Sequence, residues 1–113
     1  MYMVNVYLIS SETNEKKVYK IGHTKRSVET RLSEFRTGNS SVLEVVDVFN
    51  SKWGTKIEAH LHRHFRVKRV GGEWFDLDDK DLQDFKRLCQ QVHENLNTIE
   101  ENNTYYIDRG ERF

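Results

Sequence analysis

MVNVYLISSETNEKKVYKI, residues 3–21, decides the fold. Met3 to Ile9 alternates and is rich in β-formers, Ser10 to Lys16 is polar, and Val18 to Ile21 resumes the pattern. Two such runs separated by polar residues predict a β-hairpin with a long polar tip. After Gly22, Val28, Leu32 and Phe35 fall at helical spacing within Ser27 to Arg36, with Ser27 as the cap and an end near Thr37 and Gly38. Val42 to Phe49 is dense in β-branched residues and predicts a third strand, half or fully buried, closing at Asn50 and Ser51. From Lys52 to about Phe65, Trp53, Ile57, Leu61 and Phe65 recur every four residues, the apolar stripe of a second helix.

Gly71 and Gly72 break that stripe. Glu73, Trp74 and Phe75 follow as a short extended segment whose aromatics are too large to leave exposed cheaply, so they are expected to pin the domain's edge. The acidic run Asp76 to Asp81 supplies capping chemistry for a third helix, whose stripe runs from Leu82 through Phe85, Leu88, Cys89, Val92 and Leu96 to Ile99. The order β-β-α-β-α-α predicts an α+β fold, a small, mostly antiparallel three-stranded sheet flanked by helices. Residues 1–101 read as a single domain, with the C-terminal helix at about 79–101. The remainder, 102–113, reads as a tail with Tyr105, Tyr106 and Ile107 as a partner-binding strand or a frayed end.

With 113 residues there is room for one modest core. No apolar run approaches the ~20 residues that cross a bilayer, and the N-terminus lacks a charged leader and a cleavage site, so a cytoplasmic protein with no membrane partner is expected. The single cysteine, Cys89, excludes an internal disulfide and reads as a buried structural thiol. Net charge is zero, yet its distribution is uneven. Up to Gly72 there are thirteen Lys or Arg against seven Asp or Glu, giving +6, and from Glu73 onward five against eleven, giving −6. A basic front hints at nucleic acid, because phosphate neutralisation supplies most non-specific affinity.

Alternation places Tyr7 and Lys20 on paired strands. A phenol and an amine held together can position and deprotonate a water, whereas the plain alternative is a packed tyrosine and a solvated lysine. Arg31 borders the buried stripe of the first helix, suited to bidentate phosphate recognition or to laying its stem over apolar groups. Glu58 flanks the stripe of the second helix. Its oxygens suit Mg²⁺ or Mn²⁺, and its alternative is a helical ion pair, for which only His62 has the favourable spacing.

His60, His62 and His64 invite a zinc reading, but two-residue spacing turns helical side chains about 200° apart, so they cannot converge. His64 is expected to point to the core with Ile57 and Leu61. His62 shares a side with Glu58, and both it and His23 are candidate supporting contacts. Lys25, Arg26 and Arg36, with Arg63, Arg66, Lys68 and Arg69, frame the site in sequence and are the candidate nucleic-acid-binding residues. No base-reading signature accompanies them.

Val6-Tyr7-Leu8, Tyr19-Lys20-Ile21-Gly22, Thr24, Arg31-Leu32, Glu58, His62, Phe65 and Gly72-Glu73-Trp74-Phe75 resemble, in order and spacing, the GIY-YIG nuclease superfamily, especially its phage and bacterial branch with a K-I-G second motif. The resemblance spans about Val4 to Leu77. It implies a GIY-YIG-like fold and a single-metal endonuclease, acting most readily on DNA, in which Tyr7, Lys20, Arg31 and Glu58 act on one phosphate and Glu58 holds Mg²⁺ or Mn²⁺. Lys20 stands where the commonest pattern has tyrosine. Alternation sends Tyr19 and Lys20 to opposite faces, so Lys20 is assigned to the site and Tyr19 to packing or a secondary role. The rival classes are a non-catalytic nucleic-acid-binding module on the same scaffold and a protein-interaction factor working through the acidic third helix and the tail.

Overall fold

The computed structural model describes residues 3–13, 16–36 and 42–102. The N-terminal hairpin pairs β1 (Val4–Glu12) with β2 (Lys17–Thr24) in antiparallel register, Tyr7 opposite Gly22 and Ile9 opposite Lys20. Its strands run further than the polarity of Ser10 and Ser11 suggests, and beyond their ends the Thr13 N–H donates to the Lys16 carbonyl at 3.0 Å. Both serines are buried because β1 is flanked on its other edge by β3 (Val42–Ser51). That pairing slips between Leu8 and Ile9, which face Asp47 and Val45, leaving Val46 as the extra, exposed residue of a bulge.

Between them, α1 (Val28–Arg36) begins where the Thr30 N–H donates to the Ser27 hydroxyl. After β3 come α2 (Gly54–His64), a single 3₁₀ turn at Arg66–Lys68, β4 (Arg69–Gly71), β5 (Trp74–Phe75) and the long α3 (Asp79–Asn102). The sheet has five strands in the order β3-β1-β2-β5-β4, every pair antiparallel. The expected three-stranded sheet is therefore corrected to five. The three residues of β4 are all exposed, and β5 is two residues long; neither carries a periodic pattern, and they form by pairing, β5 onto the edge of β2 and β4 onto β5.

Alternation along β1 splits the interior in two. Val6 and Leu8 join Tyr19, Ile21 and the stripes of α2 and α3 in the larger core. Tyr7 and Ile9 face the other way and pack with Val28, Leu32 and Leu43 under α1. Cys89 is fully buried in the larger core, and burial above all, with Asp47 adding, pushes its thiol up to about 12. It is a structural thiol, not a nucleophile. A polar chain ties α3 to the start of α2. The buried Ser51 hydroxyl accepts the Trp53 N–H at 2.9 Å and meets His93 Nδ1 at 2.7 Å, while the Trp53 indole N–H donates to Asn97 Oδ1 at 2.7 Å. No described helix is long and apolar enough to cross a membrane. The expected end of α1 at Thr37 and Gly38, and the tail beyond Asn102, lie outside the described residues.

Candidate functional site

Strand pairing sets Tyr7 directly across from Gly22, and the ring lies over that glycine. A Cβ at position 22 would stand 2.3 Å from the Tyr7 hydroxyl oxygen, so only glycine leaves room for it. Burial raises the phenol above its ordinary value, and a hydrogen bond with the Arg31 guanidinium opposes that rise. Arg31 is delivered by α1. Its guanidinium also donates to Glu34 at 3.0 Å and lies 4.7 Å from the centre of the Phe35 ring. The two bonds, Tyr7 first and Glu34 second, raise Arg31 further and hold it as a permanent cation.

Lys20 sits on the same face as Tyr7. Its Nζ lies 2.8 Å from Glu73 Oε2 and within 5.4 Å of the ring centres of Phe35 and Trp74. Tyr19 is on the opposite face, 7% exposed in the larger core. The two neighbours are thus divided as strand alternation requires, with Lys20 next to the charged groups and Tyr19 among apolar ones.

Glu58 rises from the half-buried flank of α2 that it shares with His62. One oxygen accepts from His23 Nδ1 at 2.5 Å, and the other lies 4.0 Å from His62 Nε2. His62 is itself fixed: its Nε2 donates to the Ile21 carbonyl at 2.9 Å, and its ring meets Phe75 edge-on at 5.0 Å. Glu73 comes from the turn between β4 and β5, which Gly72 permits by taking φ of 53°. The Ile21 N–H donates to the Glu73 carbonyl at 3.1 Å and locks that turn to β2.

Ligand atoms of Glu58, His62 and Glu73 all lie within 4.8 Å of one another. While His62 Nε2 serves the Ile21 carbonyl it has no lone pair for a metal, so two carboxylates carry the donor set, a fit for a hard cation such as Mg²⁺ or Mn²⁺. The charges of both carboxylates add to the rise of the Tyr7 phenol, which joins the two halves of the site. Sequence alone points to Glu58 and passes over Glu73. Its one signal was position, an acid straight after a glycine pair and before two aromatics that had to dock.

The candidate nucleic-acid-binding cations divide. Arg26 Nη2 donates to both Glu34 oxygens, at 2.9 and 3.0 Å, and Lys68 is held by Asp81 and Asp78. Arg63 and Arg66 are exposed with no carboxylate partner among the described residues; Arg69 reaches only the Gly72 carbonyl at 3.5 Å, and Lys25 is exposed. Arg36 belongs to α1. His64 is exposed, not turned to the core as expected, although helical phase sets it on the arc of α2 beside Ile57.

A family model of the T5orf172 domain matches residues 5–90, a span holding every charged group of the site from Lys20 to Glu73. The chain belongs to the T5orf172 domain family. This is a different family from GIY-YIG, and the resemblance drawn from Tyr7, Lys20-Ile21-Gly22, Arg31 and Glu58 is corrected accordingly. Searches against curated proteins and against solved structures returned no match. Membership of the T5orf172 family is compatible with interaction with nucleic acid and assigns no specific catalytic activity.

Proposed function

We propose that this T5orf172-domain protein is a metal-dependent endonuclease that hydrolyses phosphodiester bonds, with DNA as its substrate. The observation that carries this reading is the meeting of two carboxylates, Glu58 and Glu73, with an amine, a phenol and a guanidinium, from Lys20, Tyr7 and Arg31. Glu58 and Glu73 would hold Mg²⁺ or Mn²⁺, which would supply Lewis-acid stabilisation of the phosphate oxygens. Tyr7 orients the attacking water, and Lys20, in its uncharged amine form, takes the proton. Its oxygen forms the new bond to phosphorus as the bond to the leaving oxygen breaks, and Arg31 offsets the charge that builds on the phosphorane. His23 and His62 touch Glu58 and the β2 backbone, so they aim the carboxylate. Arg66 and Arg69 hold the nucleic-acid backbone by charge.

Nicking of supercoiled plasmid tests this. Wild type converts it to open circle in Mg²⁺ and not in chelator, while Glu58→Gln and Glu73→Gln, both near-isosteric, lose cleavage and keep the wild-type melting temperature. Near wild-type nicking by Glu58→Gln in Mg²⁺ overturns the metal assignment. Binding of the plasmid by wild type with no cleavage in any divalent ion overturns the enzyme and leaves a nucleic-acid-binding module.

A further inference from the structure

On the flank of α2 away from Glu58, a groove runs between α2 and α3, with a volume of about 320 Å³ at one end and about 340 Å³ at the other. Its α2 wall presents Lys56, His60 and Arg63 on successive turns. Its α3 wall presents Arg87, Gln91 and Asn95, a ladder at four-residue spacing, above a floor that includes Val92 and Leu96. None of the residues lining it carries a carboxylate, in a chain with equal numbers of acids and bases. Lys56 and Arg63 have no ion-pair partner among the described residues, and Arg87 shares Asp84 at a distant 3.6 Å. The crowding of positive charge registers in His60, whose proton affinity is lowered by burial and then by Arg63 and His64.

We propose that this groove is a second nucleic-acid-binding site, which takes the phosphate backbone of a strand against Lys56, Arg63 and Arg87 while the side-chain amides of Gln91 and Asn95 donate to it. On a helical wheel Lys56, His60 and Arg63 lie roughly opposite Glu58 and His62 at 100° per residue, so a strand here is not the strand at the candidate metal site. Charge complementarity selects the occupant: a wall of cations and neutral amide donors, without carboxylates, matches a repeating anion. The apolar floor accepts sugars and base faces. The proposal shares the nucleic-acid partner of the cleavage reading and does not depend on catalysis.

Fluorescence anisotropy of a labelled duplex, titrated with the full chain in chelator, separates the two. Lys56→Glu and Arg63→Glu each weaken binding at least several-fold more than Lys17→Glu, an equal charge change at an exposed lysine outside the groove. Each also makes the negative slope of log affinity against log salt shallower by about 0.9. Lys56→Arg retains wild-type affinity. Should a charge reversal on α2 prevent folding, Gln91→Glu with Asn95→Asp places like charge in the same groove from α3 and is expected to weaken binding equally. Equal effects of Lys56→Glu and Lys17→Glu, or none, overturn the proposal and leave the cleavage reading standing. Displacement of the duplex by polyglutamate at matched charge overturns nucleic acid as the occupant in favour of an acidic protein. Groove-dependent binding in a protein that cuts nothing supports this proposal while the enzyme reading fails.

Discussion

At the scale of single residues, the site turns on what Gly22 omits. The Tyr7 ring is 1% exposed and packed under α1, so it cannot swing away from an added methyl group lying 2.3 Å from its oxygen and 2.5 Å from Cζ. Gly22→Ala is therefore expected to shift the phenol off Arg31 and to destabilise the fold by ~1–3 kcal/mol, the usual range for overpacking. Thermal melting and plasmid nicking check it; unchanged values in both would show that the ring moves freely. Alternation made Tyr7, Lys20 and the exclusion of Tyr19 legible in sequence, because a strand's two-residue period is fixed by the backbone. Glu73 was not legible. It meets Glu58 only because β5 pairs with β2, a contact that no local period encodes. His64 failed for a related reason: helical phase says which residues share an arc, not how wide an arc a neighbouring helix covers.

At the scale of elements, α3 was the most legible, expected at about 79–101 and found at Asp79–Asn102, since its stripe of large apolar residues spans many turns without a break. Its start is fixed by reciprocal bonds: the Asp81 N–H donates to Asp78 at 2.9 Å and the Asp78 N–H to Asp81 at 3.0 Å. The Asp81 N–H, followed by Lys68, holds the Asp78 carboxyl below the ordinary carboxylate value. A carboxylate depressed in the folded state adds stability that is present above its unfolded value, near 3.8, and is lost as pH falls through the lower folded one. Asn caps a helix as well as Asp but does not titrate. Asp78→Asn should hence melt close to wild type at pH 7 and lose less between pH 5 and pH 3. Parallel melting curves for the two proteins across that window would remove Asp78 from the acid response. By contrast β4 and β5 were illegible as strands, being too short to show a period and stabilised from outside.

At the scale of the whole molecule, the basic front and acidic back of the chain do not survive folding as separate fields. Lys16 pairs with Asp76, Lys20 with Glu73, Lys52 with Glu100, Lys68 with Asp78 and Asp81, and Lys86 with Asp47, each bridge crossing the point where the sequence changes sign. The +6 read from sequence thus overstates what a phosphate backbone meets. Among the described residues Lys17, Lys56, Arg63 and Arg66 have neither a carboxylate nor a carbonyl partner, and they lie on more than one surface. Each phosphate neutralised lowers the slope of log affinity against log salt by ~0.9, so a duplex that reaches all of them gives a slope near −4 and one that reaches fewer gives a shallower one. Affinity for duplex DNA should fall on the order of 10²-fold or less between 50 and 200 mM salt. Anisotropy titrations over that range check the number. A slope near −8 would mean that binding breaks the internal bridges and recruits their lysines, and a flat response would remove electrostatic binding altogether; a slope of about −2 to −4 is the signature of a surface whose fold has already spent most of its cations on its own carboxylates.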